Sequence, residues 1–192
     1  MDGTPGGSQP PDQVCTRPVE GTDVHDLVTL HRGLSADTLR CRFLTSHPDL
    51  SAERIGRLVD VDGHDRSAVV ALRGGRVVGI AHYGCQAGGA EGLVTLLVAD
   101  DERDDDLEVR LLRELAAVAR PCGVRRLVLE VHPLDRRLLG ALEASDLRST
   151  WHLHAGAIEI TLPLDRPDRP DRPDPPATGA DRARGSRSAP RS

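Results

Sequence analysis

Residues 97 to 120, LVADDERDDDLEVRLLRELAAVAR, place seven carboxylates between an apolar run and an amphipathic repeat: Asp100, Asp101, Glu102, Asp104, Asp105, Asp106 and Glu108. The first four N–H groups of a helix lack partners within it, and that end carries a partial positive charge. It therefore takes either an anionic ligand or the chain's own acids. Here the chain supplies the acids. Asp104 or Asp105 is placed to act as N-cap, and Asp105 with Glu108 has the D-x-x-E spacing of a capping box. Each negative charge near the start is favourable by about 0.3 to 1 kcal/mol. A divalent cation is the other chemistry open to such a run, but capping accounts for the acids without one.

Three further constellations carry weaker signals. DVDGHD (60 to 65) begins like a calcium loop, yet Ala71 stands where the bidentate acid of the twelfth position is required, and Asp and Gly are common at a helix-to-strand turn for backbone reasons. His152 and His154 are two ligands where a structural zinc site needs four. Cys85 has no neighbouring base in sequence and reads as a bystander thiol. No metal is expected. The four cysteines, Cys15, Cys41, Cys85 and Cys122, lie far apart with no paired metal spacing. Free thiols in a reducing compartment follow, and with a polar, acidic first segment MDGTPGGSQPPDQ the expected location is the cytoplasm.

Composition narrows the partners. The formal charge is -5, every basic residue is arginine, and no basic run interrupts the periodic part of the chain, so a nucleic-acid partner is not expected. No apolar run approaches the roughly 20 residues that span a bilayer, so neither is a membrane.

The elements that must position these groups follow from changes of period. Residues 1 to 13 are Gly, Pro and polar, and 163 to 192 contain DRPDRPDRPDPP, so both ends are expected to be unstructured, the second as an extended polyproline-like tail. The remaining 14 to 162 form one domain. A short strand (16 to 19) precedes helices at 23 to 34, 35 to 44 and 50 to 61, capped by Thr22/Asp23, Ser35 and Ser51. Strands at 67 to 72 and 76 to 84 flank Gly74-Gly75, a two-residue hairpin connection. A strand at 92 to 99, a long helix at 107 to 120, a strand at 125 to 132, a helix at 136 to 144 capped by Asp135 and a closing strand at 154 to 162 complete the order. A strand-helix-strand unit after a hairpin-linked meander predicts an α/β fold with a mixed, mostly antiparallel central sheet flanked by helices.

This order, with LSADTLRCRFLTSHPDLS, DVDGHDRSAVVALRGGRVVGIAHYG and VRRLVLEVHPLDRRLLGAL, resembles the GNAT superfamily of N-acetyltransferases over about residues 14 to 162. The look is that of the acetyltransferase domains of bacterial protein lysine acetyltransferases, in which a helix bearing an Arg-Phe pair, here Arg42-Phe43, precedes a second helix and the sheet. The resemblance implies an opening between the strands at 92 to 99 and 125 to 132 for the pantetheine arm of acetyl-CoA. It also implies an amine or protein substrate.

Cofactor contacts are implied at Leu97, Val98, Arg103, Asp104, Asp106, Glu108 and Asp135, because the family follows its fourth strand with a loop Gln/Arg-x-x-Gly-x-Gly/Ala whose N–H groups bind pyrophosphate. In this chain Arg103 takes the first position and Asp106 and Glu108 the two glycine or alanine positions, so no glycine remains. Asp135 stands for an asparagine, Asp146-Leu147 for a Gly-Phe/Tyr pair, and Leu93 for the usual general-base glutamate. Glu91, two residues earlier on the same strand face, is the remaining candidate base. The expectation is a degenerate, non-catalytic binding or regulatory module; the alternative is an active acetyl-CoA-dependent N-acetyltransferase.

Overall fold

A computed structural model describes residues 13–44, 52–86, 89–102, 104 and 106–164. Ser51, Arg103, Asp105 and the expected tail from 165 onward lie outside the described residues. Seven strands form one sheet: β1 (Val14–Pro18), β2 (Arg66–Arg73), β3 (Arg76–Cys85), β4 (Glu91–Val98), β5 (Arg126–Val131), β6 (Thr150–His154) and β7 (Ala157–Pro163). Their spatial order is β1-β2-β3-β4-β5-β7-β6. Helices α1 (Val24–Arg32), α2 (Ala36–Phe43) and α3 (Ala52–Val59) precede β2, while α4 (Leu107–Ala119) joins β4 to β5 and α5 (Arg136–Ala144) follows β5. The fold is therefore α/β with a mixed sheet, as the periods predict.

Strand parity divides the core in two. Leu96 and Val98 of β4, with Leu127, Leu129 and Val131 of β5, pack with the α4 stripe Leu107, Leu111, Leu112, Leu115 and Ala119. Leu97 and Ala99 face the other way, into a cluster with Leu27, Leu30 and Ile55 of α1 and α3. Alternate residues of a strand point to opposite faces, so one apolar run serves both layers.

The hairpin at Gly74-Gly75 forms as expected, both residues taking positive φ (56° and 82°). Ser35 caps α2, its Oγ accepting from the Thr38 N–H at 3.2 Å. Asp23 sits at the entry to α1, but its carboxylate accepts the Glu20 N–H (2.8 Å) and pairs with Arg17 (2.6 Å), tying the helix start to β1.

Two expectations need correction. The closing strand at 154 to 162 is the second arm of a hairpin: Ala155 (φ 50°) and Gly156 (φ 85°) turn the chain between β6 and β7. The ordered core also extends past 162, since β7 runs to Pro163 and Leu164 is buried, its N–H donating to Arg125 O at 2.8 Å.

What positions the candidate site is the one parallel contact among the described residues. β4 and β5 pair over only three residues, Glu91 with Arg126, Gly92 with Leu127 and Leu93 with Val128, and part beyond them. α2 bridges the opening, its Cys41 carbonyl accepting the His132 N–H at the end of β5 (2.9 Å).

Candidate functional site

Most of the described acids of the run at 100 to 108 have partners of their own. Asp100 turns back to α2, accepting from Ser35 N (2.5 Å) and Thr38 Oγ1 (2.6 Å). Asp101 pairs with Arg76 at 3.1 Å. Glu102 is buried and takes a two-point contact from Arg73 (3.0 and 2.7 Å), and its Oε1 also accepts the Asp104 N–H. Asp104 Oδ1 accepts the Asp106 N–H at 3.2 Å, and its Oδ2 meets Arg110 at 3.3 Å. The Leu107 N–H goes to Asp104 O. These N–H groups around the helix start are thus satisfied by the protein's own oxygens.

The capping residues differ from the sequence reading. The N-cap position is Asp106, whose side chain makes no capping hydrogen bond. The expected Asp105–Glu108 capping box involves Asp105, which lies outside the described residues; the Glu108 carboxylate goes inward to Arg42. A D-x-x-E spacing describes only the local chain, whereas Arg42 lies 66 residues earlier and approaches through tertiary packing.

Arg42 is the centre of the site. From α2, on the face of the sheet shared with α1 and α3, it reaches Glu108 of α4 and Asp135 at the start of α5 on the opposite layer, across the opening between β4 and β5. Its Nη2 donates to Glu108 Oε1, and its Nε lies 2.8 Å from Asp135 Oδ2. The side chains of Arg42, Glu108 and Asp135 are 7%, 2% and 6% exposed. Asp135 Oδ1 also accepts the Leu138 N–H (3.2 Å), so the expected α5 cap exists and serves the cluster as well. Arg137 closes the rim, its Nη2 donating to the carbonyl of Glu102 (3.1 Å). Burial pushes the Glu108 carboxyl above the usual range, against the opposing pull of Arg42 and Arg137.

Arg42 lines a cavity on each side. One, of about 250 Å³, lies among Thr38, Cys41, Val98, Glu108 and Asp135. The other, of about 310 Å³, opens beside Leu44, Glu91, Leu93, Glu130 and Glu159. Glu91, the candidate base, is held by Arg126 at 2.5 Å, and Leu93 is 58% exposed at the second cavity's edge. Leu97 and Val98 are both buried, Val98 forming part of the first cavity's wall.

The other constellations have structural explanations. Asp62 Oδ1 accepts the N–H groups of His64 and Arg66 (both 2.9 Å), bonds that hold its carboxyl down to about 2, while Gly63 takes φ 72°. DVDGHD is thus a turn in which Asp62 is spent on backbone and Asp60 on Arg66. His152 and His154 are exposed on the edge strand β6, and the Cys85 thiol is half-buried, raised chiefly by burial. Asp146 pairs with Arg113 at the surface, and Leu147 packs against the α4 core. Glu130, Glu159 and Arg137 were not singled out by sequence; only their strand parity and helix position bring them to the opening.

No family model matches the chain, and no curated protein matches its sequence. Solved structures do. The GNAT domain of PAT from S. lividans is 27% identical, with a TM-score of 0.68 over 77% of this chain and 89% of that one. The chain has the GNAT fold. A PaiA N-acetyltransferase from Thermoplasma acidophilum, solved in complex with coenzyme A, has a TM-score of 0.62 at 10% identity, over 79% of this chain and 99% of that one. The ribosomal-protein-S18-alanine N-acetyltransferase of Escherichia coli gives 0.57 at 16% identity, over 82% and 98%.

At the start of α4 the acids and Arg42 stand where the fold family's cofactor would be met. A diphosphate ahead of α4 needs free N–H groups and close access to backbone. Here the Glu108 carboxylate and that of Asp135 are buried about the Arg42 guanidinium, which lies between α2 and the starts of α4 and α5.

Proposed function

We propose that this GNAT-fold chain is a binding or regulatory module that does not use acetyl-CoA. One observation carries the reading: the Arg42 guanidinium, locked by Glu108 and Asp135, spans the opening between β4 and β5 from α2 to α4 and α5. Magnitudes favour exclusion. A phosphate charge brought within about 5 Å of a carboxylate is opposed by roughly 3 kcal/mol at an effective dielectric of about 20. A helix N-terminus returns only about 0.3 to 1 kcal/mol at an exposed site. Two buried carboxylates share the position, and Arg42 already answers both.

The second reading, an active N-acetyltransferase, draws on the 27% identity to the S. lividans GNAT domain and on Glu91 beside the second cavity. Against it, Glu91 is engaged by Arg126, and the position expected for a base is the exposed Leu93. Incubating the full chain with acetyl-CoA and a panel of amines and lysine peptides distinguishes the two. The module reading expects no acetylated product by mass spectrometry above a protein-free control; product that scales with protein concentration overturns it.

A further inference from the structure

At the end of α4 opposite Glu108, two cysteines distant in sequence come to one turn. Three successive carbonyls ahead of β2 are met by groups from β3 and from the turn after α4. Gly63 O accepts from the Cys122 thiol at 3.2 Å, His64 O from the Tyr83 hydroxyl at 2.9 Å, and Asp65 O from the Cys85 N–H at 2.8 Å. Residues i and i+2 of a chain are at most about 7 Å apart even when fully extended. The end of β3 and the end of α4 therefore converge on one short stretch of backbone.

Side-chain direction brings the sulfurs to the same side. Cys85 is two residues beyond Tyr83 on β3 and so shares its face, the one packed against α4. Cys85 and Cys122 both pack against that core and are both half-buried, within reach of a small solute. The electrostatics agree with the placement. Burial first, then a hydrogen bond with the Cys122 thiol and the nearby Cys122 and Cys85 groups, push the Tyr83 hydroxyl up; burial first, then Asp65 and Cys122, push the Cys85 thiol up. The other two cysteines lie elsewhere, Cys15 on the edge strand β1 and Cys41 on α2 beside Asp135.

We propose that Cys85 and Cys122 form a modification site, which hydrogen peroxide converts to a disulfide joining the end of β3 to the end of α4. One thiolate attacks a peroxide oxygen; the O–O bond breaks, hydroxide leaves and a sulfenic acid remains. The second thiolate attacks that sulfur, the S–S bond forming as the S–O bond breaks and a second hydroxide leaves. Each hydroxide takes up the proton its thiol released, so two thiols and one peroxide give one disulfide and two waters. What Cys122 gives up is weak, its thiol contacts with Gly63 O and Val118 O. The closed loop contains β4, the acid run and α4. Nothing in this chemistry depends on whether the chain uses acetyl-CoA.

The test treats the full chain, reduced and then freed of reductant, with excess hydrogen peroxide, and counts free thiols after denaturation. The count is expected to fall from four to two, with an intact mass lower by two hydrogens, and dithiothreitol is expected to restore all four. Peptide mapping without reductant is expected to find Cys85 linked to Cys122 in a monomer, at a yield unchanged by dilution. Cys85→Ser and Cys122→Ser are each expected to abolish the loss of two hydrogens, whereas Cys15→Ser and Cys41→Ser leave the linkage intact. Circular dichroism checks that the serine variants fold, and mapping of the unsubstituted chain decides the matter without them. A linkage between any other pair, the mixture of pairings formed in concentrated urea, or sulfinic and sulfonic acids with no disulfide overturns the proposal.

Discussion

Replacing Arg42 by methionine removes the cation from between two buried carboxylates while keeping an apolar stem of similar length. Glu108 and Asp135, 2% and 6% exposed, are then left beside each other with only the charge of Arg137 nearby. Breaking a buried pair by deleting one partner costs about 3 to 5 kcal/mol. Part of this is recovered because Glu108, already raised by burial, can take up a proton, and Asp135 keeps the Leu138 N–H. A loss of about 3 kcal/mol at pH 7 is expected. The pH dependence has a definite sign. A carboxyl whose folded pKa lies above its unfolded value favours folding below the unfolded value and loses that contribution as pH rises through the folded one. Arg42→Met should therefore regain stability from pH 7 to pH 5 relative to the unchanged protein. Adding Glu108→Leu should recover more than half of the loss at pH 7, since a buried ion pair is often replaceable by apolar groups. Urea denaturation followed by far-ultraviolet circular dichroism at both pH values measures all three. A loss below about 1 kcal/mol at pH 7, or one identical at pH 5, would refute the description of Arg42 as the closure of the opening.

Three other outcomes are expected. The His82 imidazole is held down to about 4, by burial first and the charge of Arg66 second, so the unfolded chain takes up its proton first as pH falls. Its contribution should be complete above about pH 6.5 and lost toward pH 4, a decline of up to about 3 kcal/mol; an equal urea-midpoint change between pH 7 and 4.5 in a His82→Gln variant would contradict this. Gly92→Ala introduces a Cβ 2.9 Å from Leu127 Cδ2 and 3.1 Å from Tyr83 Cδ2, and should cost about 1 to 3 kcal/mol in the same assay. The triple change Asp104→Gly, Asp106→Gly and Glu108→Gly opens the backbone ahead of α4 and releases Arg42 from Glu108, leaving it paired with Asp135 alone. Micromolar acetyl-CoA binding should appear by calorimetry, with stability lowered by about 3 kcal/mol or more because the buried pair is broken; a folded triple variant that ignores acetyl-CoA would show that exclusion arises elsewhere.

Local features of this fold were legible in the sequence because their causes are local. Ser35 and Asp135 cap helices through bonds to residues three positions on, and Gly74-Gly75 turns a hairpin by its own backbone freedom. The β6 arm was not expected as a strand because Ala155-Gly156 lacks the Asn-Gly or Asp-Gly signature of a hairpin turn, although Ala155 adopts the same positive φ. Glu108 shows the limit most clearly. Its position on α4 and its acidity were evident, but a capping box and a buried ion pair look identical in sequence when the guanidinium arrives from another layer. Glu130 and Glu159 are similar: each looks like an ordinary strand carboxylate until the antiparallel register sets one against the other.

The central claim is that the chain's own charges and side chains fill the place where the GNAT fold implies a cofactor. Isothermal titration calorimetry of the full chain with acetyl-CoA tests it directly, since binding needs no substrate and no turnover. Heat indistinguishable from dilution up to 1 mM acetyl-CoA is the expected result. A saturable isotherm with a dissociation constant of about 100 μM or lower, corresponding to about 5.5 kcal/mol of binding free energy, would contradict it.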